Sequence, residues 1–200
     1  MAGIERPSSA HLPRYCWTLT TVRWKVPTRL NQGFQVLIEK EYVSFGHQFC
    51  LRLSQGMNLP NNEQKSQVFI QFLDCMTQLI YQFPLSFEFT IRYISEIARR
   101  LNTNQFGTFL CDSQLQQFKT NVTTRTASLW SYMNHNRETF LNPYYQPGWA
   151  RFLDVSCAQK NVRIWKEHFL YYTEGFKDVY AIYPCDFSEY SLANSAKTPS

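Results

Sequence analysis

No Cys-x-x-Cys pair occurs among the six cysteines, Cys16, Cys50, Cys75, Cys111, Cys157 and Cys185. Their wide spacing excludes a close-set disulfide scaffold or a thiolate zinc site and fits reduced, mostly buried thiols. No window approaches the roughly 20 apolar residues that a membrane-spanning helix needs. The N-terminus carries Arg6 and Arg14 but lacks the apolar core of a secretory signal. A cytosolic chain is therefore expected, and the Asn121-Val122-Thr123 sequon reads as accidental. There is no long run of like charges, hence no basic tail. His11, His47, His135 and His168 are scattered and no His-Glu-x-x-His occurs, so no metal site is expected. A serine nucleophile elbow and a glycine-rich phosphate loop are both missing, and nothing implies a cofactor. The aromatic residues are not interleaved with Lys and Arg as RNA stacking requires, so no nucleic-acid partner is expected.

What the chain has is aromatic bulk. Its 200 residues are 16% Phe, Tyr and Trp within a hydrophobic share of 44%. That length supports one domain with a substantial core, and aromatic rings bury much area per residue. The net charge of +5 gives a weak preference for anionic partners, though such a balance is more often plain solubility.

Three compositional pieces follow one another. Residues 1–28 form a leader punctuated by Pro7, Pro13 and Pro27, spacing that forbids a long helix. Its stretch 16–26 suits either a short strand or a disordered leader. From Arg29 the pattern becomes helical. Phe34, Ile38, Tyr42, Phe45 and Phe49 recur at helical steps and predict one long helix. After a polar connection over 54–66, Phe69, Phe72, Leu73, Met76, Leu79, Ile80 and Phe83 form a broad apolar stripe that Pro84 should stop. A third helix is predicted over 91–101, with Ile91, Ile94, Ile97, Ala98 and Leu101 facing inward. Phe106 to Leu110 reads as a turn into buried chain, and Asp112 or Ser113 as the cap of a short helix through Phe118. Trp165, Phe169 and Tyr172 suggest one more helix. Residues 29–187 thus make the folded body and 188–200 a small, polar, loose tail.

One Cys-x5-Arg spacing exists, Cys157 to Arg163, as CAQKNVR. A cysteine phosphatase uses that spacing because a tight loop must aim a thiolate at phosphorus while backbone N–H groups and the guanidinium hold the oxygens. Glycine normally lets those amides converge; this loop has none, and we read the match as chance. Cys16 and Arg23 miss the spacing by one residue. Asp74, polar within an apolar helix, is read as bonding backbone or an arginine inside the fold rather than as a base, and His47 as a hydrogen-bonded packing histidine.

The segments GFQVLIEKEYVSFGHQF (33–49), VFIQFLDC (68–75), QFPLSFEF (82–89), FGTFLC (106–111), RTASLWSY (125–132) and NPYY (142–145) resemble the C-terminal part of a myotubularin phosphatase domain. Myotubularins are cysteine-dependent phosphatases that remove the 3-phosphate of phosphatidylinositol 3-phosphate and 3,5-bisphosphate. Their signature, His-Cys-Ser-Asp-Gly-Trp-Asp-Arg-Thr, lies upstream of the first matched segment, where this chain holds unrelated sequence. Ser156, not His, precedes Cys157, in a stretch that is a connector in the family.

The resemblance also concerns Arg52. Catalytic members often show Arg-x-x-x-Arg after Phe-Gly-His, a pair associated with the anionic headgroup; here the positions are Gln48 and Arg52. Arg52 remains a candidate headgroup contact beside its reading as a surface charge. Other departures are Thr90-Ile91 for the usual Asn-Glu and Lys65-Ser66-Gln67 for Arg-Ser-Pro.

The resemblance therefore implies a mostly α body, the C-terminal portion of an α/β, protein-tyrosine-phosphatase-like domain. It implies a truncated chain without catalytic residues, acting by protein or membrane-surface binding, or else an incomplete chain of an active 3-phosphatase. Another myotubularin, as homo- or heterodimer, and a phosphoinositide membrane surface are the implied partners. Cytoplasm, with peripheral attachment to endosomal membranes, is the implied location. If the sheet strands lie upstream, the stripe over 69–83 should be exposed and the isolated chain marginally stable.

Overall fold

The computed structural model describes residues 26–53, 65–149, 153–156 and 158–173. The leader before Val26, most of the polar connection, Cys157 and the tail lie outside the described residues. Helices dominate: α1 (Asn31–Ile38), α2 (Phe49–Leu53), α3 (Val68–Gln82), α4 (Ile91–Leu101), α5 (Gln114–Lys119), α6 (Val122–Arg125), α7 (Leu129–His135) and α8 (Lys166–Phe169). The extended pairing among the described residues is a single antiparallel bridge, Phe89 to Leu141.

The stripe on α3 forms as its periodicity predicts, and Pro84 follows directly after its cap Phe83. It is not exposed. Phe69, Leu73, Met76, Leu79 and Ile80 are all buried, packed in one core with Phe34 and Ile38 of α1 and with Ile94 and Ile97 of α4. The chain covers its own longest apolar face, which removes the reason for expecting marginal stability. Apolar exposure lies elsewhere, at Phe45, Leu115 and Phe118, and near the C-terminus at Val162, Ile164, Phe169 and Tyr172. Helix α4 buries the predicted face of Ile91, Ile94, Ile97, Ala98 and Leu101. The predicted last helix shrinks to the single turn α8. There Trp165 is buried and donates its indole N–H to Ser95 Oγ at 2.9 Å, whereas Phe169 and Tyr172 point outward.

The predicted long first helix is broken. After Ile38 the chain widens into a π-helical turn, Glu39–Ser44, and His47 N–H reaches back five residues to Tyr42 O at 2.8 Å. One extra residue per turn rotates the face. Val43 therefore turns into the core, Phe45 is left 79% exposed, and Gly46 ends the helix at φ +81°.

Helix α1 lacks a side-chain cap of its own. Glu88, 57 residues away, supplies one: its carboxylate accepts the Asn31 N–H at 2.8 Å, a negative charge where the helix dipole favours it. The Glu88 loop is held in turn by Asn142, whose side-chain amide donates to Pro84 O at 2.6 Å and Phe87 O at 2.9 Å. Asn142 N–H also donates to Glu88 O at 2.7 Å. The first residue of NPYY is thus a buried stitch between two loops.

Gly33 lies where α1 crosses the turn Val26–Arg29, and a Cβ there would fall 1.6 Å from Pro27 O. At Gly46 a Cβ would meet nothing closer than 3.8 Å, and only the positive φ resists substitution. Gly33→Ala should therefore cost about 3 kcal/mol, because rigid backbone must move. Gly46→Ala should cost about 1–2 kcal/mol from the left-handed backbone. Urea unfolding of both variants checks the order, and equal losses would contradict it.

Candidate functional site

Two places could carry chemistry: the Cys157–Arg163 segment and the corner around Phe45-Gly46-His47 with Arg52. In the first, residues 153–156 and 158–163, the latter with a 3-10 turn over Gln159–Asn161, form a strap that two glutamines of α3, one helical turn apart, hold by its backbone. Gln82 donates to Ser156 O at 3.0 Å and accepts from Ser156 N–H at 2.9 Å. Gln78 donates to Arg163 O at 2.7 Å and accepts from Arg163 N–H at 3.0 Å. Each carboxamide pairs with a residue's N–H and C=O as a neighbouring strand would.

This pairing decides what the segment can bind. A phosphate cradle needs backbone N–H groups converging on one open point. Here Ser156 N–H and Arg163 N–H are taken by the two glutamines. Ala158 N–H points to Ser156 Oγ at 3.4 Å and Asn161 N–H to Ala158 O at 2.8 Å. The Arg163 guanidinium lies over the Tyr81 ring, 5.6 Å from its centre. Cys157 itself is outside the described residues.

Asp74 is expected from sequence to bond backbone or an arginine; among the described residues its carboxylate instead accepts from Gln78 at 3.1 Å. Burial raises its pKa, with the Gln78 hydrogen bond and nearby His168 opposing. His168 stacks on Trp165 at 4.5 Å, and burial lowers its pKa against the pull of Asp74.

The second place is built from α2 and the loop entering α5. His47 meets the rings of Phe49 at 4.6 Å, Tyr42 at 5.4 Å and Phe69 at 6.4 Å. It is a packing histidine held by aromatic edges. Its pKa is lowered, first by burial and then by the Arg52 guanidinium, while the Asp112 carboxylate acts the other way. Arg52 is half-buried on α2, and Gln48 at the i−4 position is exposed. Asp112 accepts Leu51 N–H at 3.1 Å, and Cys111 N–H donates to Cys50 Sγ at 3.0 Å. Ser113 caps α5, accepting Gln116 N–H at 3.3 Å. Of the two caps read from sequence Ser113 takes the role, and Asp112 ties the loop to α2. The corner therefore offers an anion one guanidinium with a carboxylate close by. No group of three or more potential metal ligands occurs among the described residues.

Sequence reasoning singled out Arg52 and His47 but missed the strap glutamines and the Cys50–Cys111 contact. Glutamine has no periodic signature, and the two cysteines lie 61 residues apart.

The model of the myotubularin-like phosphatase domain matches residues 18–118. Over 142 residues the chain is 40% identical to phosphatidylinositol-3,5-bisphosphate 3-phosphatase MTMR2 of Pongo abelii and 39% identical to that of Mus musculus. It is 32% identical to myotubularin of Rattus norvegicus. These alignments cover 71% of this chain and 22–24% of the relatives' length.

The histidines give a pH dependence. A histidine whose folded pKa lies below 6.5 binds fewer protons than the unfolded chain, so its contribution to stability is present above pH 6.5. It is lost as pH falls through the folded value. Asp74 and Glu167, with pKa values raised chiefly by burial, act with the opposite sign at lower pH. Urea midpoints should fall between pH 7.5 and 5.5, and less so in His47→Phe, which keeps a ring among Tyr42, Phe49 and Phe69. An identical pH profile in that variant would remove His47 from the account.

Proposed function

The chain belongs to the myotubularin-like phosphatase family, and from that premise we propose that its 200 residues form a catalytically inactive, binding member of it. The observation that carries this reading is the strap: the sole Cys-x5-Arg spacing has its flanking amides occupied by Gln78 and Gln82 and contains no glycine. Such a segment lacks the glycine that lets amides converge on three phosphoryl oxygens, and the Arg163 amide is already engaged. In this reading the helical body corresponds to the C-terminal portion of an α/β, protein-tyrosine-phosphatase-like domain. Its partners are a second myotubularin chain and a phosphoinositide-bearing surface, reached from the cytoplasm as a peripheral protein on endosomal membranes. The exposed Val162, Ile164 and Phe169 supply apolar area for a protein partner, and Arg52 supplies charge for a headgroup.

A second reading is favoured by the 22% of the relatives' length that is aligned: the same residues serve within a longer, active 3-phosphatase. The coding sequence upstream of Arg29, read from the transcript's 5′ end, separates the two. An in-frame His-Cys-x5-Arg would establish the second.

Two measurements test the first reading. Phosphate release from phosphatidylinositol 3-phosphate and 3,5-bisphosphate should stay at the level without protein; release abolished by Cys157→Ser would overturn the proposal. Sedimentation with vesicles containing phosphatidylinositol 3-phosphate should weaken about fivefold in Arg52→Gln, since one cation near an anionic surface contributes about 1 kcal/mol. Unchanged sedimentation would take Arg52 out of the headgroup role.

A further inference from the structure

We propose that Cys50 and Cys111 form a peroxide-reactive dithiol site, which closes to a disulfide between α2 and the loop entering α5. Both thiols are reduced in the structure. Cys111 N–H donates to Cys50 Sγ at 3.0 Å, and bond lengths then hold the two Cα atoms within about 7 Å. That is the outer edge of the range a disulfide spans, and any bend in the path brings the pair inside it. Closure requires the Cys111 side chain to leave Thr120, whose Oγ1 is 3.7 Å from its sulfur.

The approach is held by other bonds. Asp112 accepts Leu51 N–H at 3.1 Å, so two adjacent contacts fix the register of the segments. The loop is also pinned from behind. Gln117 donates to Leu110 O at 2.9 Å, and Gln116 Oε1 accepts Asp112 N–H at 2.8 Å. Cys111 itself has φ +71°, outside the usual range for a residue with a side chain. A pair held in this way does not depend on chance encounter of two chain segments.

The roles of the two sulfurs differ. Both cysteines are half-buried, but the Cys111 sulfur lies against exposed Thr120, while burial raises the pKa of Cys50. Cys111 is the thiol that peroxide reaches first, and Cys50 the one that resolves the product. The Cys111 thiolate attacks one oxygen of hydrogen peroxide and breaks the O–O bond. Hydroxide leaves, takes a proton and becomes water, and Cys111 becomes a sulfenic acid. The Cys50 thiol then gives up its proton and its sulfur attacks that of Cys111. The S–O bond breaks, and the departing hydroxide takes the proton as a second water. Two thiols lose two electrons in total and one peroxide gains them.

The test uses the intact, reduced chain. It is treated with hydrogen peroxide, blocked with N-ethylmaleimide and digested with trypsin without reductant. The expected result is loss of two of the six thiols. Peptides 41–52 and 101–119 should be joined at a mass two hydrogens below their sum and separate again with dithiothreitol. In Cys50→Ala the bridge should vanish, with dimedone now trapping a sulfenic acid at Cys111. Recovery of both peptides maleimide-blocked after the remaining thiols have oxidised would overturn the proposal. So would a bridge from either cysteine to a different partner as the main product. The wild-type peptide map decides the matter even if the variant does not fold.

Discussion

A continuous line of ring-on-ring contacts runs through this molecule, and the other elements are arranged around it. It passes from Trp130 to Phe109 at 5.9 Å, to Phe49 at 4.9 Å and to Phe69 at 5.2 Å. From there it continues through Phe72 to Phe34, Phe89, Tyr93 and Phe140, with successive centroids 5.0–6.1 Å apart. Each such pair contributes about 0.5–1.5 kcal/mol beyond the area it buries. The line crosses α1, α2, α3, α4 and α7. It is why a body of short helices, with a single β-bridge among its described residues, holds together. Burial at Tyr93, 1% exposed, also keeps its hydroxyl protonated, bonded to Gln35 at 3.0 Å.

The rings fix the elements, and polar stitches fix the loops between them. Asn142 and Glu88 tie the loop ahead of α4 to α1. Glu96, 5% exposed, binds Arg99, Arg100 and the Tyr132 hydroxyl, joining α4 to α7. Gln117 and Asp112 set the loop entering α5 against α2. A charge as deeply buried as that of Glu96 is tolerable because several donors satisfy it. The same economy of partners applies to Ser156 and Arg163, whose N–H groups are taken by Gln82 and Gln78. Amides that hold the strap onto α3 are no longer available to a ligand.

The stripe on α3, its stop at Pro84, the inward face of α4 and the Ser113 cap were all legible in the sequence, because each is a local pattern with a local cause. Phe45 was misleading. Its spacing from Tyr42 and Phe49 fits a helix, but spacing cannot register the extra residue of the π-helical turn. Trp165 does precede a helical turn, yet the helix drawn through Phe169 and Tyr172 assumed a second face to bury that the described residues do not provide. Asp74 was expected to find backbone or an arginine and found Gln78. Partner choice at a half-buried carboxylate depends on which side chains the tertiary fold brings near. The Gln78 and Gln82 pairs span 85 and 74 residues; nothing in either neighbourhood announces them.

Those two glutamines have a consequence for how the chain can vary over time. They hold Ser156 and Arg163 by peptide groups, so these four hydrogen bonds are indifferent to the side chains at those two positions, whereas Leu153 and Val155 pack on the core by their side chains. The helix side of the contact has no such latitude. Glutamate at 78 or 82 would lose the donor and asparagine would fall short of the reach. Related chains that keep the strap should vary at 156 and 163 more readily than at 78 and 82, where glutamine should hold.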